Sequence, residues 1–251
     1  YAVPKVFDPY INIWYNITKI TKAPVIIMEI KPIAHIKNDY DDKFGVPRQS
    51  NIASEIKSKI IFCDEYAKPE AIKGLDGFSH IWLIWEFSKN SHPSNSLTVR
   101  PPRLGGNERV GVFASRSPFR PNPLGLSSVR LEKITTENNK PVLTVSGADL
   151  VNGTPIYDIK PYIKYSDSHD DAVCGFVDER NFNILTVNGI EKFKDCLTKE
   201  QYETLTIILS NDPRPAYQRG CDREYGFKFG GKEIKFKVAD NVLTVTEIKN
   251  E

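Results

Sequence analysis

Short apolar or alternating runs, separated by turn residues, dominate the first two thirds of the chain. Runs in which β-branched and aromatic residues alternate with polar ones are typical of strands. They occur at 25–36, 57–63, 78–87, 111–114, 127–133, 142–146 and 156–163. One short helix is predicted within 66–75. Because the runs are closely spaced, with no long helices between them, they predict a mainly β fold over residues 25–168, a barrel or a strongly curved sheet.

The pattern changes after residue 168. A polar stretch leads into 188–209, where apolar residues recur at helical spacing and predict one or two amphipathic helices. Residues 225–246 alternate around Gly230-Gly231, which predicts a hairpin. Residues 169–251 are therefore predicted to form a small α+β domain. Residues 1–24 precede the strand pattern and are predicted to be an accessory segment.

Composition narrows the possible functions. The formal net charge is only +2, so any affinity for nucleic acid has to come from a local patch. The four cysteines contain no C-x-x-C pair, which predicts free thiols, a reducing, cytoplasmic setting and no metal site. No apolar run approaches the ~20 residues of a membrane span. No strand pattern is followed by G-x-G-x-x-G and a helix, which argues against a Rossmann cofactor site.

The local patch lies at 100–126, RPPRLGGNERVGVFASRSPFRPNPLGL. It holds five arginines, five prolines and four glycines, against one acid, Glu108. Proline and glycine exclude a regular helix, so the segment is predicted to be a shaped cationic loop that closes over an anionic group.

Two further motifs carry polar groups. FGVPRQ (44–49) places Arg48 in a loop, where its planar guanidinium suits a carboxylate or phosphate. GADLVNGTPIYDIKPYIKYSD (147–167) sets charged residues in apolar surroundings, where they need partners. Spacing alone leaves two explanations open for this second motif: an internal ion pair, or a polar ligand held at Asp149 and the backbone of 150–152.

Taken in order, FGVPRQ, GLDGFSHIWLIWEF, the 100–127 segment and the 147–167 segment closely resemble the TsaA/YaeB family, also called TrmO. The resemblance covers about 25–167, and DPRPAYQRG with the following hairpin resembles the C-terminal domain of the bacterial members. It implies a single-sheeted β-barrel, a homodimer, and S-adenosylmethionine-dependent methylation of the exocyclic nitrogen of threonylcarbamoyl-adenosine, beside the anticodon of threonine tRNA.

The resemblance also implies site residues. Arg48 would suit the methionine carboxylate of the cofactor, and Asp149 its ribose hydroxyls or adenine amine. The implied cofactor-binding residues are Pro47, Arg48, Gln49, Ser88, Lys89, Arg116, Leu126, Asp149, Leu150, Val151 and Asn152. A carboxylate or tyrosinate is expected to receive the proton of the acceptor nitrogen, with Asp149, Tyr165 and Asp167 as candidates.

For tRNA, the expected contacts are cations and one stacking aromatic: Arg100, Arg103, Arg109, Arg120, Lys160 and Tyr162. A second basic set lies in the C-terminal part and either extends this surface or only serves solubility: Arg214, Arg219, Arg223, Lys228, Lys232, Lys235 and Lys237. Two other functions stay open, a non-catalytic RNA-binding barrel and a methylase of a different acceptor.

Overall fold

The computed structural model describes residues 29–54, 56–90, 96–105, 108–179, 184–214 and 222–250. The chain divides into two compact units, residues 1–31 and 32–251, and all described strands and helices belong to the second. The accessory segment predicted over 1–24 lies outside the described residues. The predicted domain boundary at 168–169 falls inside the second unit and stays a prediction.

The first part of this unit is built from antiparallel strands. They are β1 (Ala34–Lys37), β2 (Lys57–Phe62), β3 (His80–Glu86), β4 (Thr98–Val99), β5 (Val110–Gly111), β6 (Leu124–Glu137), β7 (Lys140–Ser146) and β8 (Pro155–Pro161). Six of them pair in the closed order β1-β2-β7-β6-β3-β8, a barrel, while β4 and β5 form a separate ribbon. The prediction of a mainly β fold is confirmed.

Alternation along the strands builds the barrel interior. In β3, Ile81 and Leu83 are fully buried and Trp85 nearly so, while the residues between them are half-buried on the outer face. Apolar residues from the other strands meet them inside, among them Ile60, Val129 and Leu143. This burial is what holds the sheet in one register, because a one-residue slip would turn the apolar face outward.

The second part begins with two one-turn helices, α1 (Lys164–Asp167) and α2 (Phe176–Glu179). It continues with β9 (Thr186–Asn188), a 3-10 helix (Ile190–Cys196), α3 (Lys199–Ser210), β10 (Tyr225–Phe229), β11 (Lys232–Ala239) and β12 (Val242–Asn250). The strands form a sheet in the order β10-β11-β12-β9. Helix α3 begins with a capping box, since the Thr198 hydroxyl accepts from Gln201 N and the Gln201 side chain accepts from Thr198 N.

The connection between β1 and β2, here called the linking segment (residues 38–54), belongs to both parts. Tyr40 and Ala53 are buried in the same apolar core as Leu205 and Phe229 of the C-terminal sheet and helix. Gly45 lies against Phe227, where an added Cβ would approach the ring to 2.7 Å. The barrel and the C-terminal sheet are thus joined through the loop that carries the FGVPRQ motif.

Several sequence predictions differ from the structure. Of the strand predicted at 25–36, the described residues form a strand only from residue 34, in β1 (Ala34–Lys37). The run at 111–114 is a 3-10 turn after β5, because it buries only Val112 and leaves Phe113 exposed. The helix predicted in 66–75 is two 3-10 turns, separated by Gly74 with a φ of 84°. The predicted hairpin gains a third strand, β12.

None of the described helices has the length and apolar character to cross a membrane.

Candidate active site

One end of the barrel, where β3 ends and β6 begins, gathers a chain of buried polar groups. The Trp85 indole Nε1 donates to Ser127 Oγ at 2.9 Å, and Ser127 Oγ donates to Asp149 Oδ1 at 2.5 Å. Trp85 and Ser127 face inward on neighbouring strands, and Asp149 follows β7 in the loop that leads to β8. Inward-facing side chains of two strands therefore meet the carboxylate of a residue in the loop after β7.

Asp149 is half-buried, and desolvation of its carboxylate raises its pKa above the ordinary range for aspartate. Hydrogen bonds from the Ser127 hydroxyl and from the backbone amides of Asp149 and Ser50 oppose the rise, and so does the positive charge of Arg116. Burial is the larger effect. Asp149 is therefore a better proton acceptor near neutral pH than an exposed aspartate.

Two loops meet beside this carboxylate. The Arg116 guanidinium, from the cationic loop, donates to Gln49 Oε1 at 2.6 Å, and Gln49 belongs to FGVPRQ. The next residue, Ser50, donates its amide to Asp149, so the linking segment touches both groups. Arg116, Gln49 and Asp149 were each predicted for the cofactor site, and the structure brings them together.

The loop after β7 is fastened to the linking segment by amide hydrogen bonds. Asn38 Nδ2 donates to Leu150 O at 2.9 Å, and Asn38 N donates to Asn152 Oδ1 at 3.2 Å. The amide of Asn152 donates to Tyr40 O at 2.8 Å. The Leu150 side chain is fully buried in the barrel core, whereas Val151 and Asn152 are half-buried. The predicted wall at 149–152 thus offers its polar backbone, while Leu150 anchors it.

Arg48, predicted to bind the cofactor carboxylate, contacts the C-terminal part of the chain. Its guanidinium NH2 donates to the backbone carbonyls of Asp212, at 2.7 Å, and Arg214, at 3.1 Å. Pro47 beside it is buried. These contacts tie FGVPRQ to the segment after α3, so the arginine predicted to hold a carboxylate is engaged by main-chain oxygens of the C-terminal part.

The remaining residues predicted to bind the cofactor are exposed to solvent. Ser88 and Lys89 are exposed in the turn after β3, just beyond Glu86, which accepts from the Tyr157 hydroxyl and raises the pKa of Tyr157 to about 12. Leu126 lies on the outer face of β6 with 57% of its surface exposed. Trp85 and Leu126 are thus on opposite faces of the same wall.

Tyr165 and Asp167 lie on the outer face of the barrel wall, away from the interior face that holds Ser127. Tyr165 in α1 is 91% exposed. Asp167 Oδ2 accepts from Ile163 N and from Trp82 Nε1, and the Ile163 hydrogen bond, followed by that of Trp82, lowers the Asp167 pKa. Two of the three predicted proton acceptors are therefore not brought together with Asp149.

The residues predicted to contact tRNA fall into several settings. Arg100 is exposed, and the Arg103 side chain lies outside the described atoms. Arg109 Nε donates to Thr98 Oγ1 at 2.8 Å across the β4–β5 ribbon, and Arg120 NH1 donates to Ser115 O at 3.1 Å. On the outer barrel face, Lys160 pairs with Asp158 at 2.8 Å, and the Tyr162 ring contacts the rings of His80 and Trp82.

The second basic set is partly structural. Arg214 is buried and pairs with Asp212 at 2.8 Å, and Lys235 pairs with Glu247 at 2.8 Å. Arg223 lies over the Tyr225 ring, Lys232 Nζ donates to Asn250 Oδ1, and Lys237 is exposed. Arg219 lies outside the described residues.

Sequence reasoning missed four polar residues of this region. Ser127 and Trp85 occupy inward strand positions, where alternation alone predicts core, and Asn38 sits in a loop without a motif. The hydroxyl of Tyr40 is buried and lacks a hydrogen-bond partner among the described residues; burial above all, then the negative charges of Asp149 and Asp39, raises its pKa. The sequence does carry one signal for such residues: a hydroxyl or indole N–H at a position predicted to be buried needs a hydrogen-bond partner, and so points to a polar group nearby.

Within the described residues, no three His, Cys, Asp or Glu side chains come together as metal ligands would. Cys63, Cys174 and Cys196 are free thiols, and Cys221 lies outside the described residues.

Known proteins match both parts of the chain. A family model described as "tRNA-methyltransferase O N-terminal domain" matches residues 35–168, and one described as "TrmO C-terminal domain" matches 186–251. The chain is 36% identical over 220 residues to the tRNA (adenine(37)-N6)-methyltransferase of Escherichia coli K12, over 84% of this chain and 94% of that protein. It is also 36% identical over 212 residues to the putative S-adenosylmethionine-dependent methyltransferase RcsF of Pseudomonas aeruginosa, over 82% and 90% of the two chains.

Solved structures agree. A crystal structure of TrmO from Pseudomonas aeruginosa matches with a TM-score of 0.70 at 28% identity, over 90% of this chain and all of that one. The fold, the site and these matches define a tRNA methyltransferase that uses S-adenosylmethionine and is built on a β-barrel. The chain belongs to the TrmO family.

Proposed function

We propose that this enzyme transfers the methyl group of S-adenosylmethionine to the exocyclic nitrogen of threonylcarbamoyl-adenosine at position 37 of threonine tRNA. The observation that carries the proposal is the convergence of Asp149, Arg116 and Gln49 from separate loops at one end of the barrel. The names of the relatives supply the acceptor position, since they methylate N6 of adenine 37.

The residues present suit the cofactor. Its ribose hydroxyls and adenine amine need an acceptor, its carboxylate needs a donor, and its adenine needs apolar contact. Asp149 supplies the first and Arg116 the second. Leu126 lies on the outer face but near the start of β6, at the same end of the barrel, and would supply the third from there. Since the Arg48 guanidinium donates to two main-chain carbonyls, Arg116 takes the carboxylate-binding role that the sequence had suggested for Arg48.

The bound cofactor supplies an electrophilic methyl sulfonium, so a carbon–sulfur bond breaks as the nitrogen–carbon bond forms and the nitrogen loses a proton. The protein chiefly aligns the reactants, an effect that contributes up to ~7–11 kcal/mol. Among the three candidate proton acceptors, Asp149 is favoured, because burial raises its pKa whereas the pKa of Asp167 is lowered. A homodimer, with the cationic loop facing tRNA, is part of the same proposal.

The test uses labelled S-adenosylmethionine and tRNA from a strain that cannot methylate threonylcarbamoyl-adenosine, with nucleosides analysed by mass spectrometry. We expect a methylated threonylcarbamoyl-adenosine in threonine tRNA with wild-type protein and none with Arg116→Ala. tRNA lacking the threonylcarbamoyl group is the control acceptor: equal methylation of both tRNAs would move the acceptor elsewhere. Cofactor binding without transfer to any tRNA would contradict the proposal, and absence of both would favour a non-catalytic RNA-binding barrel.

A further inference from the structure

The hydrogen bonds from Trp85 to Ser127 to Asp149 run in a single direction. An indole N–H is only a donor, so Ser127 Oγ must accept from Trp85 Nε1 at 2.9 Å. The one hydrogen of the serine hydroxyl is then free to point to Asp149 Oδ1, 2.5 Å away. The indole N–H therefore orients the Ser127 hydroxyl, and the hydroxyl in turn orients the Asp149 carboxylate.

Packing allows the indole little other choice of position. Trp85 and Ser127 are 5% and 1% exposed, and the Phe87 ring meets the Trp85 ring edge-on with centroids 4.4 Å apart. Gly125 lies directly beside the indole, where an added Cβ would come within 2.3 Å of Trp85 Cε2. The Trp85 indole can therefore occupy this position only because residue 125 is a glycine.

We propose that Trp85 and Ser127 are positioning residues, which hold the Asp149 carboxylate in the one orientation in which it binds the cofactor. The inference rests on the proposed role of Asp149 in the cofactor site. Ser127 takes up Oδ1 at 2.5 Å, and the backbone amides of Asp149 and Ser50 also stabilise the charged carboxylate, so rotation of the group would lose the Ser127 bond and weaken these interactions. The Trp85–Ser127 bond is buried inside the barrel wall, so the donor that holds the half-buried carboxylate is itself fixed away from solvent.

The test measures S-adenosylmethionine affinity of the full chain by calorimetry in wild type, Ser127→Ala, Trp85→Phe and the double variant. Losing a hydrogen bond to a charged group predicts an affinity about tenfold lower for Ser127→Ala. Trp85→Phe keeps the ring and loses the donor, so we expect a smaller loss, about threefold. In the Ser127→Ala background, Trp85→Phe should add nothing, because the indole acts only through the hydroxyl.

Two matched controls come from the same strands. Trp82→Phe removes an indole N–H from the outer face of β3, and Ser128→Ala removes an outward hydroxyl next to Ser127; both should bind the cofactor as wild type does. Thermal unfolding of every variant verifies that it is folded, and Ser127→Thr, which keeps the hydroxyl, should restore most of the affinity if Ser127→Ala lowers it.

Additive losses from Trp85→Phe and Ser127→Ala would overturn the inference, since they would indicate independent packing effects. Wild-type affinity in Ser127→Ala, with reduced affinity in Asp149→Asn, would also overturn it. If Asp149→Asn itself binds like wild type, the carboxylate has no cofactor role to be positioned for and the inference fails. Transfer of methyl to tRNA by the wild-type protein would show in that case that the proposed function survives.

Discussion

Strand β3 carries two tryptophans whose indole N–H groups serve carboxylates on opposite faces of one barrel wall. Trp85 points inward and reaches Asp149 through Ser127, whereas Trp82 points outward and donates directly to Asp167 at 2.8 Å. Both aspartates are half-buried, yet desolvation raises the pKa of Asp149, whereas hydrogen bonds from Ile163 N and Trp82 lower that of Asp167. Hydrogen-bond donors lower the pKa of both carboxylates, the Ser127 hydroxyl at Asp149 and the Trp82 indole at Asp167. Only at Asp149 does desolvation outweigh them, so desolvation rather than the donor sets the sign of the shift.

The largest expected contrast is in cofactor affinity. Asp149→Asn removes a half-buried negative charge from the site, and we expect S-adenosylmethionine to bind about 10- to 100-fold more weakly. Asp167→Asn changes the same atoms on the outer face and should leave the affinity at the wild-type value. Calorimetry on both variants measures the contrast; equal losses would mean that the two faces are not functionally distinct.

The second largest effect is expected from a substitution that crowds the inner face of the barrel wall. Gly125→Ala places a methyl group against the Trp85 indole, which we expect to lower the free energy of unfolding by about 1–3 kcal/mol and to weaken cofactor binding. Gly111→Ala is the matched control, because an added Cβ there meets nothing within 4 Å. Urea unfolding compares the two, and a Gly125→Ala protein as stable as Gly111→Ala would show that the indole can move without cost.

The outer tryptophan should matter less to stability. Trp82→Phe loses a hydrogen bond to a half-buried carboxylate on the outer face, so we expect the melting temperature to fall by only a few degrees, and by less than in Gly125→Ala. Differential scanning calorimetry measures the change. A loss as large as that in Gly125→Ala would mean that the outer contact stabilises the barrel as strongly as the inner one.

The smallest expected effect is the pH dependence of stability. The folded-state pKa of Asp149 lies above the unfolded value, so stability is lost as pH rises toward the raised pKa, and Asp149→Asn removes that loss. The folded-state pKa of Asp167 lies below the unfolded value, so its contribution is present above the unfolded pKa and is lost as pH falls through the folded one. Urea unfolding of both variants from about pH 3 to 8 should give differences from wild type that slope in opposite directions.

Local patterns predicted much of the fold because alternation reports burial on one face. The strands around Leu143 were predicted in this way, helix α3 from apolar residues at helical spacing, and the turn of the C-terminal hairpin from Gly230-Gly231. The run at 111–114 misled, since an apolar residue such as Phe113 at an exposed turn gives the same signal as one in a core.

The site was predictable only where motifs carry it. Gln49, Arg116 and Asp149 were expected together and are together. The partners of Arg48 could not be foreseen, because they are main-chain carbonyls more than 160 positions away along the chain, and main-chain atoms leave no trace in residue identity. Ser127 was missed because an inward serine looks like a small core residue until its partner is known.

The linking segment also has a consequence for the order in which the enzyme is made. Its Tyr40 packs with Phe229, its Gly45 fits under Phe227, and its Asp39 carbonyl accepts from Gly230 N. A ribosome delivers residues 38–54 long before it delivers 227–230, so during synthesis the linking segment, which touches Asp149 and Arg116, is made well before its partners. We therefore expect a chain that stops before the C-terminal sheet to lack the contacts that hold the linking segment beside Asp149 and Arg116.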